Sequence, residues 1–283
     1  MDWVIGRRWA VRFVIGLLFA TTIIRIALIA GNWGFEDVDA YWEAALRLRN
    51  GEPLYLTGID PDSYRVFRYA PWFAWLWVPL TYLPQALVEL GWGSVLAAAS
   101  VAILVELVRL RSTAAWALAM VITPWLLSLV QVGNIQPLVV AILAFGVSRR
   151  SGPLWIGIAA SLKAVPAVWG LVYVARREWG RLLLAAAATL VLLAPVLLYE
   201  LDGYMVDPGR SFSLYYFVSP AAWAVGAVAS VAVAAYLAWH RSPWLWPAIA
   251  VAAMALAPRS HVTYATFLVI GLLGGERDRI SRG

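Results

Sequence analysis

The chain has 283 residues, of which 63% are hydrophobic and only 13% are charged. A soluble domain usually carries about 25% charged residues, so this composition argues against a soluble protein and predicts a polytopic helical membrane protein. The net charge of +6 suits contact with anionic lipid, and no basic, aromatic-interleaved segment points to a nucleic-acid partner.

The first predicted element is a membrane span at about 9–30, preceded by Arg7, Arg8 and Arg12. This run is longer than the core of a signal peptide, and no clean small-residue cleavage site follows it. We therefore predict an uncleaved first span. The polar residues 31–68 that follow are predicted to form the first outer loop.

An amphipathic helix is predicted inside this loop. Gly51 is expected to end it, and Pro53 prevents the helix from resuming. Such a helix would lie on the membrane surface. Its apolar residues follow the i, i+3, i+4, i+7 spacing of one helical face: Tyr41, Ala44, Ala45 and Leu48.

The rest of the chain is predicted to be spans joined by short loops, without a soluble domain, so that residues 1–283 form a single membrane domain. The segment 69–84 is short and rich in tryptophan, and it could be re-entrant. With the first span, the segments make about ten spans, within a range of roughly 8–11. The further predicted spans are 69–84, 86–108, 114–130, 135–148, 154–175, 181–200, 220–239, 244–258 and 261–274.

The orientation of these spans is not decided by charge. With ten spans and both termini inside, the arginines divide equally between the two sides, so the positive-inside rule does not decide the orientation. The terminal arginine clusters favour both termini inside. The outer arginines then indicate either an anionic substrate on that face or an error in the span count. This layout places the turn at residues 131–134 on the cytoplasmic side, far from the first outer loop.

The acidic residues at the start of the loop are the first candidates for chemistry. Glu36, Asp37 and Asp39 lie close to a predicted membrane exit, where charge is costly. They are either a solvated loop that marks the end of a span or a reactive carboxylate held at the membrane surface. Asp37 and Asp39 form an Asp-x-Asp pair that could hold a divalent cation, but no metal is favoured. The absence of cysteine and the presence of only two histidines exclude thiolate and histidine-rich metal sites.

Several motifs together resemble glycosyltransferase family 87. Asp37 lies four residues before Tyr41, and later motifs follow in the order of the family. These are Gly51-Glu52-Pro53-Leu54-Tyr55, Phe67-Arg68-Tyr69-Ala70-Pro71, Gln131-Val-Gly-Asn134, a Gly-rich span that ends in Lys163-Ala-Val-Pro166, and Pro258-Arg-Ser260.

The resemblance implies a membrane glycosyltransferase of the GT-C type, similar to mycobacterial-type mannosyltransferases. Such an enzyme would transfer mannose or arabinofuranose from a polyprenyl-phosphate donor to a glycolipid or an envelope polysaccharide. Its active site would lie on the extracytoplasmic face of the plasma membrane, and it would need no cofactor.

The resemblance also implies the roles of individual residues. Asp37 matches the acidic position of the family's first outer loop and is the candidate general base, because inverting transfer to a hydroxyl needs a group that accepts its proton. Asp39 is grouped with it as catalytic. Lys163 lies about nine residues into its predicted span and is the main candidate for binding the donor phosphate. The further substrate-binding candidates are Arg65, Arg68, Tyr69, Arg259, His261, Gln131 and Asn134.

Two other functions remain open from the sequence. A transporter or lipid flippase would also need buried charge and helices broken by proline and glycine, although no inverted repeat is visible. A shortened, non-catalytic member of the fold would lack a closed donor cleft. A cavity that holds both Asp37 and Lys163 would favour the enzyme.

Overall fold

The computed structural model describes residues 34–60, 62–63, 65–202, 204, 211, 213–259 and 261–282, together with the isolated positions 16, 17, 20 and 24. Most of the predicted first span, 9–30, lies outside the described residues. All regular structure in the described part of the chain is helical. The α-helices are α1 (Glu36–Asn50), α2 (Pro71–Trp77), α3 (Gln85–Arg109), α4 (Thr113–Val132), α5 (Gln136–Gly146), α6 (Gly152–Leu162), α7 (Leu171–Arg176), α8 (Trp179–Leu193), α9 (Leu214–Phe217), α10 (Pro220–Trp239), α11 (Leu245–Leu256) and α12 (Leu268–Arg282).

Helix α1 is the amphipathic helix predicted in the first loop. Acidic residues occupy its first turn and arginines its last turn, an arrangement that complements the helix dipole. Gly51 ends the helix as predicted, in the left-handed conformation with φ 72°. The buried face includes Val38, Tyr41, Ala44 and Ala45, so the predicted apolar face packs against the protein. The position of α1 on a membrane surface stays a prediction.

The predicted span 69–84 does not cross the molecule. It forms the short helix α2 and a 3₁₀ turn, Val78–Tyr82, and both of its ends contact α1. The Tyr41 hydroxyl donates to Tyr69 at 3.2 Å, and Arg49 donates to the Thr81 carbonyl at 3.1 Å. Prolines at the start of α2, in the turn and after it stop a longer helix from forming. The segment therefore returns to the side from which it started.

Four helical segments among the described residues are long and apolar enough to cross a membrane. About ten spans are therefore not confirmed. The remaining apolar helices are shorter, although they pack in the same bundle. The long segments are Gln85–Arg109, Thr113–Val132, Trp179–Leu198 and Pro220–Trp239, and the shorter ones are Gln136–Gly146, Gly152–Leu162, Val165–Arg176 and Leu245–Leu256.

The predicted span 154–175 is a hairpin of two short helical segments rather than one helix. Helix α6 ends at Leu162, Lys163 is extended with φ −142° and ψ 122°, and a 3₁₀ segment, Val165–Gly170, leads into α7. Pro166 has no N–H for a continuing helix, which explains the break. The Tyr173 hydroxyl donates to the Val147 carbonyl at 3.1 Å, so the hairpin closes where it began. The prediction that Lys163 lies within a continuous span is wrong, because Lys163 occupies the reversal.

The helix ends collect at two opposite ends of the bundle. We call the end that carries the start of α1 the site end, and the other the distal end. The site end contains residues 34–60, 62–63, 65–70, 81–85, 131–136, 163, 199–202, 204, 257–259 and 261, joined by contacts such as Asp39–Gln85, Asp37–Asn134, Arg68–Tyr204 and Asp62–Arg259. The distal end contains residues 106–112, 147–152, 173–181, 239–246 and 275–278, joined by Glu106–Arg277, Arg176–Asp278, Arg177–Trp239 and Trp246–Asp278.

Small residues allow the helices to pack closely. A Cβ added at Gly157 of α6 would lie 2.5 Å from the Cβ of Ala188 in α8, a separation that only glycine permits. Close approach of backbones at small residues is the usual way in which apolar helices associate where the hydrophobic effect does not drive them together. This packing fixes the hairpin that carries Lys163 against the bundle.

Candidate active site

The site end encloses a cavity of about 570 Å³. Residues distant in the sequence line it, because the first loop, the turn after α4, the hairpin at Lys163 and the loop after α11 all meet there. A concave chamber with a few convergent polar groups is the usual form of a small-molecule site. Of the residues predicted from the sequence, those that line the cavity are Asp37, Arg68, Tyr69, Asn134, Lys163, Arg259 and His261.

Asn134 connects the carboxylate of Asp37 to the ammonium of Lys163. The Asn134 amide nitrogen donates to Asp37 Oδ2 at 2.5 Å, and its amide oxygen accepts from Lys163 Nζ at 3.3 Å. The same oxygen accepts the backbone N–H of Gln136 at 2.9 Å. This arrangement fixes the orientation of the amide, because a carboxylate only accepts hydrogen bonds and an ammonium only donates them.

Lys163 has a second anchor in Gln136. Its Nζ donates to Gln136 Oε1 at 2.9 Å, and Gln136 is only 1% exposed. The ammonium also lies 5.4 Å from the centre of the Tyr264 ring. A buried cation is stabilised by such polar and aromatic partners. The ammonium is thus held at the cavity wall, next to the carboxylate of Asp37.

The tight turn after α4 brings Asn134 to this position. Gly133 has φ 76°, in the left-handed region that glycine favours. A Cβ added there would lie 2.3 Å from Val38 Cγ2, so the turn contacts α1 directly. The Phe35 N–H also donates to the Gln131 carbonyl at 3.1 Å. The prediction that this turn lies far from Asp37 is wrong, because segment 69–84 does not cross the molecule and the following helices change sides.

Two arginines, Arg68 and Arg259, also line the cavity. Arg259 forms an ion pair with Asp62 at 3.5 Å, and its Nε donates to His261 Nε2 at 3.4 Å. Arg68 lies beside them, where its backbone carbonyl accepts a hydrogen bond of 3.4 Å from the Tyr204 hydroxyl. Two guanidinium groups and one ammonium therefore share a chamber with the hydrogen-bonded carboxylate of Asp37, the ion-paired carboxylate of Asp62 and the carboxylate of Glu36.

Burial raises the pKa of Asp37 above the ordinary value of an aspartate. The positive charge of Lys163 and the hydrogen bond from Asn134 oppose this effect, because both favour the ionised form. The result is a carboxyl group that is more basic than one exposed to water. A raised pKa is the property that a general base needs to accept a proton.

Three of the predicted residues do not line the cavity. Asp39 accepts a hydrogen bond of 2.8 Å from Gln85, because residues two apart on a helix lie on different faces. Arg65 is exposed and pairs with Glu43 at 3.7 Å. Gln131 is buried behind the turn, where its carbonyl accepts from Phe35. Among the described residues, no group of three or more His, Cys, Asp or Glu side chains could hold a metal ion.

The site also includes residues that the sequence did not single out. Gln136 does not line the cavity itself, but it accepts a hydrogen bond from Lys163, and its position two residues after Asn134 was the available signal. Glu36 and Tyr41, which the sequence analysis named beside Asp37, line the cavity too. Further lining residues were visible only as isolated polar or aromatic residues, and these are Asp62, Ser63, Ser161, Tyr204 and Tyr264.

The comparison with protein families identifies the central part of the chain. The model of glycosyltransferase family 87 matches residues 67–205. This region contains Arg68, Tyr69, Asn134 and Lys163, whereas Asp37 precedes it. No match was found among curated proteins, and none was found among solved structures. The family match assigns residues 67–205 to glycosyltransferase family 87, which implies a membrane glycosyltransferase and confirms the resemblance drawn from the sequence.

Proposed function

We propose that this protein transfers a monosaccharide from a polyprenyl-phosphate donor to a glycolipid or an envelope glycan, with Asp37 as the general base. One observation carries the proposal. The carboxyl group of Asp37 shares a single cavity with Lys163, Arg68 and Arg259. A proton acceptor and a cluster of cations are the two parts that transfer from a lipid phosphate requires.

The chemistry divides between these two parts. An acceptor hydroxyl gives its proton to Asp37 while its oxygen attacks the anomeric carbon of the donor sugar. The bond from that carbon to the phosphate oxygen breaks, and polyprenyl phosphate leaves with the electron pair. Lys163, Arg68 and Arg259 stabilise the negative charge that develops on the phosphate. Attack on the face opposite the leaving group inverts the anomeric centre.

The apolar part of the cavity wall supports a lipid donor. Ala164 and Val165 follow Lys163, and Leu193 at the end of α8 and Val196 in the 3₁₀ segment after it line the same chamber. The adjoining Leu197 and Leu198 are strongly exposed, as expected for side chains that face hydrocarbon. A donor phosphate bound at Lys163 would therefore have an apolar flank for its isoprenoid chain.

The distribution of arginine supports an extracytoplasmic site in the plasma membrane. Since segment 69–84 returns and segment 154–175 reverses, arginines that the span prediction placed outside now lie at the distal end. Excess Lys and Arg mark the cytoplasmic side. Among the described residues, the distal end carries Arg109, Arg111, Arg149, Arg150, Arg176, Arg177, Arg181, Arg241 and Arg277, whereas the site end carries Arg47, Arg49, Arg65, Arg68 and Arg259. The site end would then face outward, where a lipid-linked donor replaces a nucleotide sugar.

The identity of the sugar follows only from the family resemblance, which favours mannose or arabinofuranose. The acceptor is proposed on the same basis to be a glycolipid or an envelope polysaccharide. We also propose that transfer requires no divalent cation, since three fixed cations already serve the phosphate. The transporter alternative predicts movement of the lipid without a new glycosidic bond.

The test is transfer by the purified protein in lipid nanodiscs. Radiolabelled polyprenyl-phosphate mannose and polyprenyl-phosphate arabinofuranose are supplied with membrane glycolipid acceptors, with and without EDTA. We expect labelled glycolipid from wild type, unchanged by EDTA, and a loss of at least about 100-fold for Asp37→Asn.

Asp39→Asn is the matched control, because it makes the same change two residues along α1 and outside the cavity. It should keep most of the activity. Full activity of Asp37→Asn would refute the assignment of the base. Movement of intact donor across the bilayer without product would support transport instead.

A further inference from the structure

The side chain of Asn134 lies between two opposite charges that are not in direct contact. Its amide nitrogen faces the Asp37 carboxylate and its oxygen faces the Lys163 ammonium. Opposite charges that share a buried site attract strongly at low effective dielectric. A direct ion pair would weaken Asp37 as a base and would occupy the ammonium that the donor phosphate needs.

We propose that Asn134 is a positioning residue that holds Asp37 ionised and oriented while keeping it apart from Lys163. This inference rests on the proposed function. The amide satisfies both charges at once, so neither must pair with the other. Asn134 occupies Oδ2 of the carboxylate, which directs Oδ1 toward the acceptor hydroxyl. The base and the phosphate-binding cation can then act on different atoms of the substrates.

The geometry around Asn134 fixes this role. Its backbone N–H donates to the Leu129 carbonyl at 2.8 Å, and its side-chain oxygen holds the first N–H of α5 through Gln136 at 2.9 Å. Gly133 presses the same turn against Val38 of α1. Asn134 is therefore tied to both helices that it joins, and its side chain has little freedom to leave Asp37.

Other ionisable groups face Asp37, and any titration of this carboxyl group reports on them as well. Burial raises the pKa of Asp37, Lys163 and Arg68 lower it by their positive charge, and Glu36 raises it. Tyrosine hydroxyls close the same part of the cavity. Among the residues that the structure describes, the ionisable groups that interact with Asp37 are Glu36 and Tyr41 from α1, Arg68 and Tyr69 from the segment before α2, and Lys163 from the hairpin.

The experiment measures the protonation of Asp37 without any substrate. Infrared difference spectra of the protein in nanodiscs, recorded across pH, show the C=O stretch of the protonated carboxyl group, and the band absent in Asp37→Asn identifies it. Asn134→Leu keeps the branched arrangement of side-chain atoms but removes all three side-chain hydrogen bonds. Because a hydrogen bond to a charged group favours the ionised form, we expect the midpoint of this band to rise by about one pH unit.

Asn134→Asp is a second variant that preserves shape and still accepts from Lys163 and from the backbone of Gln136, but cannot donate to Asp37. Two adjacent carboxyl groups do not both ionise easily, so the pair should take up its proton at a higher pH than Asp37 does in wild type. Asn50→Leu, an exposed position at the end of α1, is the matched control and should leave the midpoint unchanged.

The same variants are then assayed for transfer with the polyprenyl-phosphate mannose probe. A positioning role predicts that the acid limb of the pH–rate profile moves with the infrared midpoint and that kcat falls while the KM for the donor changes little. An unchanged midpoint in both Asn134 variants, or an equal shift in Asn50→Leu, would overturn the inference. Because the titration needs no substrate, it stands even if no donor proves active and the proposed function fails.

Discussion

Replacement of Gly133 by alanine should destabilise the protein and misplace Asn134. A non-glycine residue in the left-handed region costs about 1 kcal/mol. The added Cβ would lie 2.3 Å from Val38 Cγ2, far inside the roughly 3.5–4.0 Å of normal carbon contact. Overpacking of this kind typically costs about 1–3 kcal/mol. The free energy of unfolding should therefore fall by about 2–4 kcal/mol.

Gly51→Ala is the matched control for the backbone term. Gly51 has φ 72°, but nothing lies within 4 Å of a Cβ added there. This variant should lose only about 1 kcal/mol. At about 2–4 °C per kcal/mol for a chain of this size, Tm should fall by about 2–4 °C for Gly51→Ala and by roughly 4–16 °C for Gly133→Ala.

The assay is thermal unfolding in detergent, followed by the fluorescence of the 17 tryptophans. A double-mutant cycle with Val38→Ala measures the energetic cost of the steric clash between the added Cβ at position 133 and Val38 Cγ2, because Val38→Ala removes that atom. Gly133→Ala should cost less in the Val38→Ala background than in wild type. If Gly133→Ala and Gly51→Ala lower Tm equally, the contact between the turn and α1 does not exist as described.

Two further outcomes follow from the site. Lys163→Met should lower kcat/KM for the donor by about 10–100-fold, because a charge-assisted contact to phosphate contributes about 1.5–3 kcal/mol. The effect on the acceptor KM should be smaller. An equal loss for donor and acceptor would contradict a role of Lys163 in donor binding. Because the pKa of Asp37 is raised in the folded state, the contribution of this group to stability is present below its unfolded pKa and is lost as pH rises through its folded pKa. Asp37→Asn should therefore raise Tm at about pH 8 and lose this advantage at about pH 4, and a Tm below wild type at the higher pH would refute a buried ionised carboxylate.

The sequence contained enough information for the local elements of the site. The period of apolar residues and Gly51 predicted helix α1, and the motifs singled out Asp37 and Lys163 as candidates for the base and for the phosphate-binding cation. Side-chain identity and spacing along one helix are local properties, and they do not depend on how the helices are arranged across the bundle. The central region that matches the family also contains most of the cationic and polar residues named in advance.

The arrangement of helices across the bundle could not be predicted in the same way. A run of apolar residues has the same hydropathy whether it crosses a membrane once, returns or reverses. Segment 69–84 returns because prolines limit its helix, and segment 154–175 reverses at Lys163. The first error placed the turn with Asn134 on the wrong side, although its residues had been identified, and the second placed Lys163 inside a continuous span.

The separation of Asp37 from Asp39 was also not decided by the motif. As a sequence, Asp-x-Asp indicates a pair of carboxylates that act together. On a helix the two side chains point in different directions, and Asp39 meets Gln85 instead of the cavity. Gln136 was missed for the complementary reason, because a glutamine at the start of an apolar helix shows no sign of a charged partner until the hairpin brings Lys163 to it.

The short helices beneath the cavity have a consequence for the lipid around the protein. Helices α5 and α6 have 11 residues each, so each is about 16 Å long, whereas the hydrocarbon core of a bilayer is about 30 Å thick. A bilayer responds to such a mismatch by thinning locally. We expect the leaflet to be locally thinner over Lys163, so that a lipid phosphate would lie closer to the carboxylate of Asp37 before any side chain binds it.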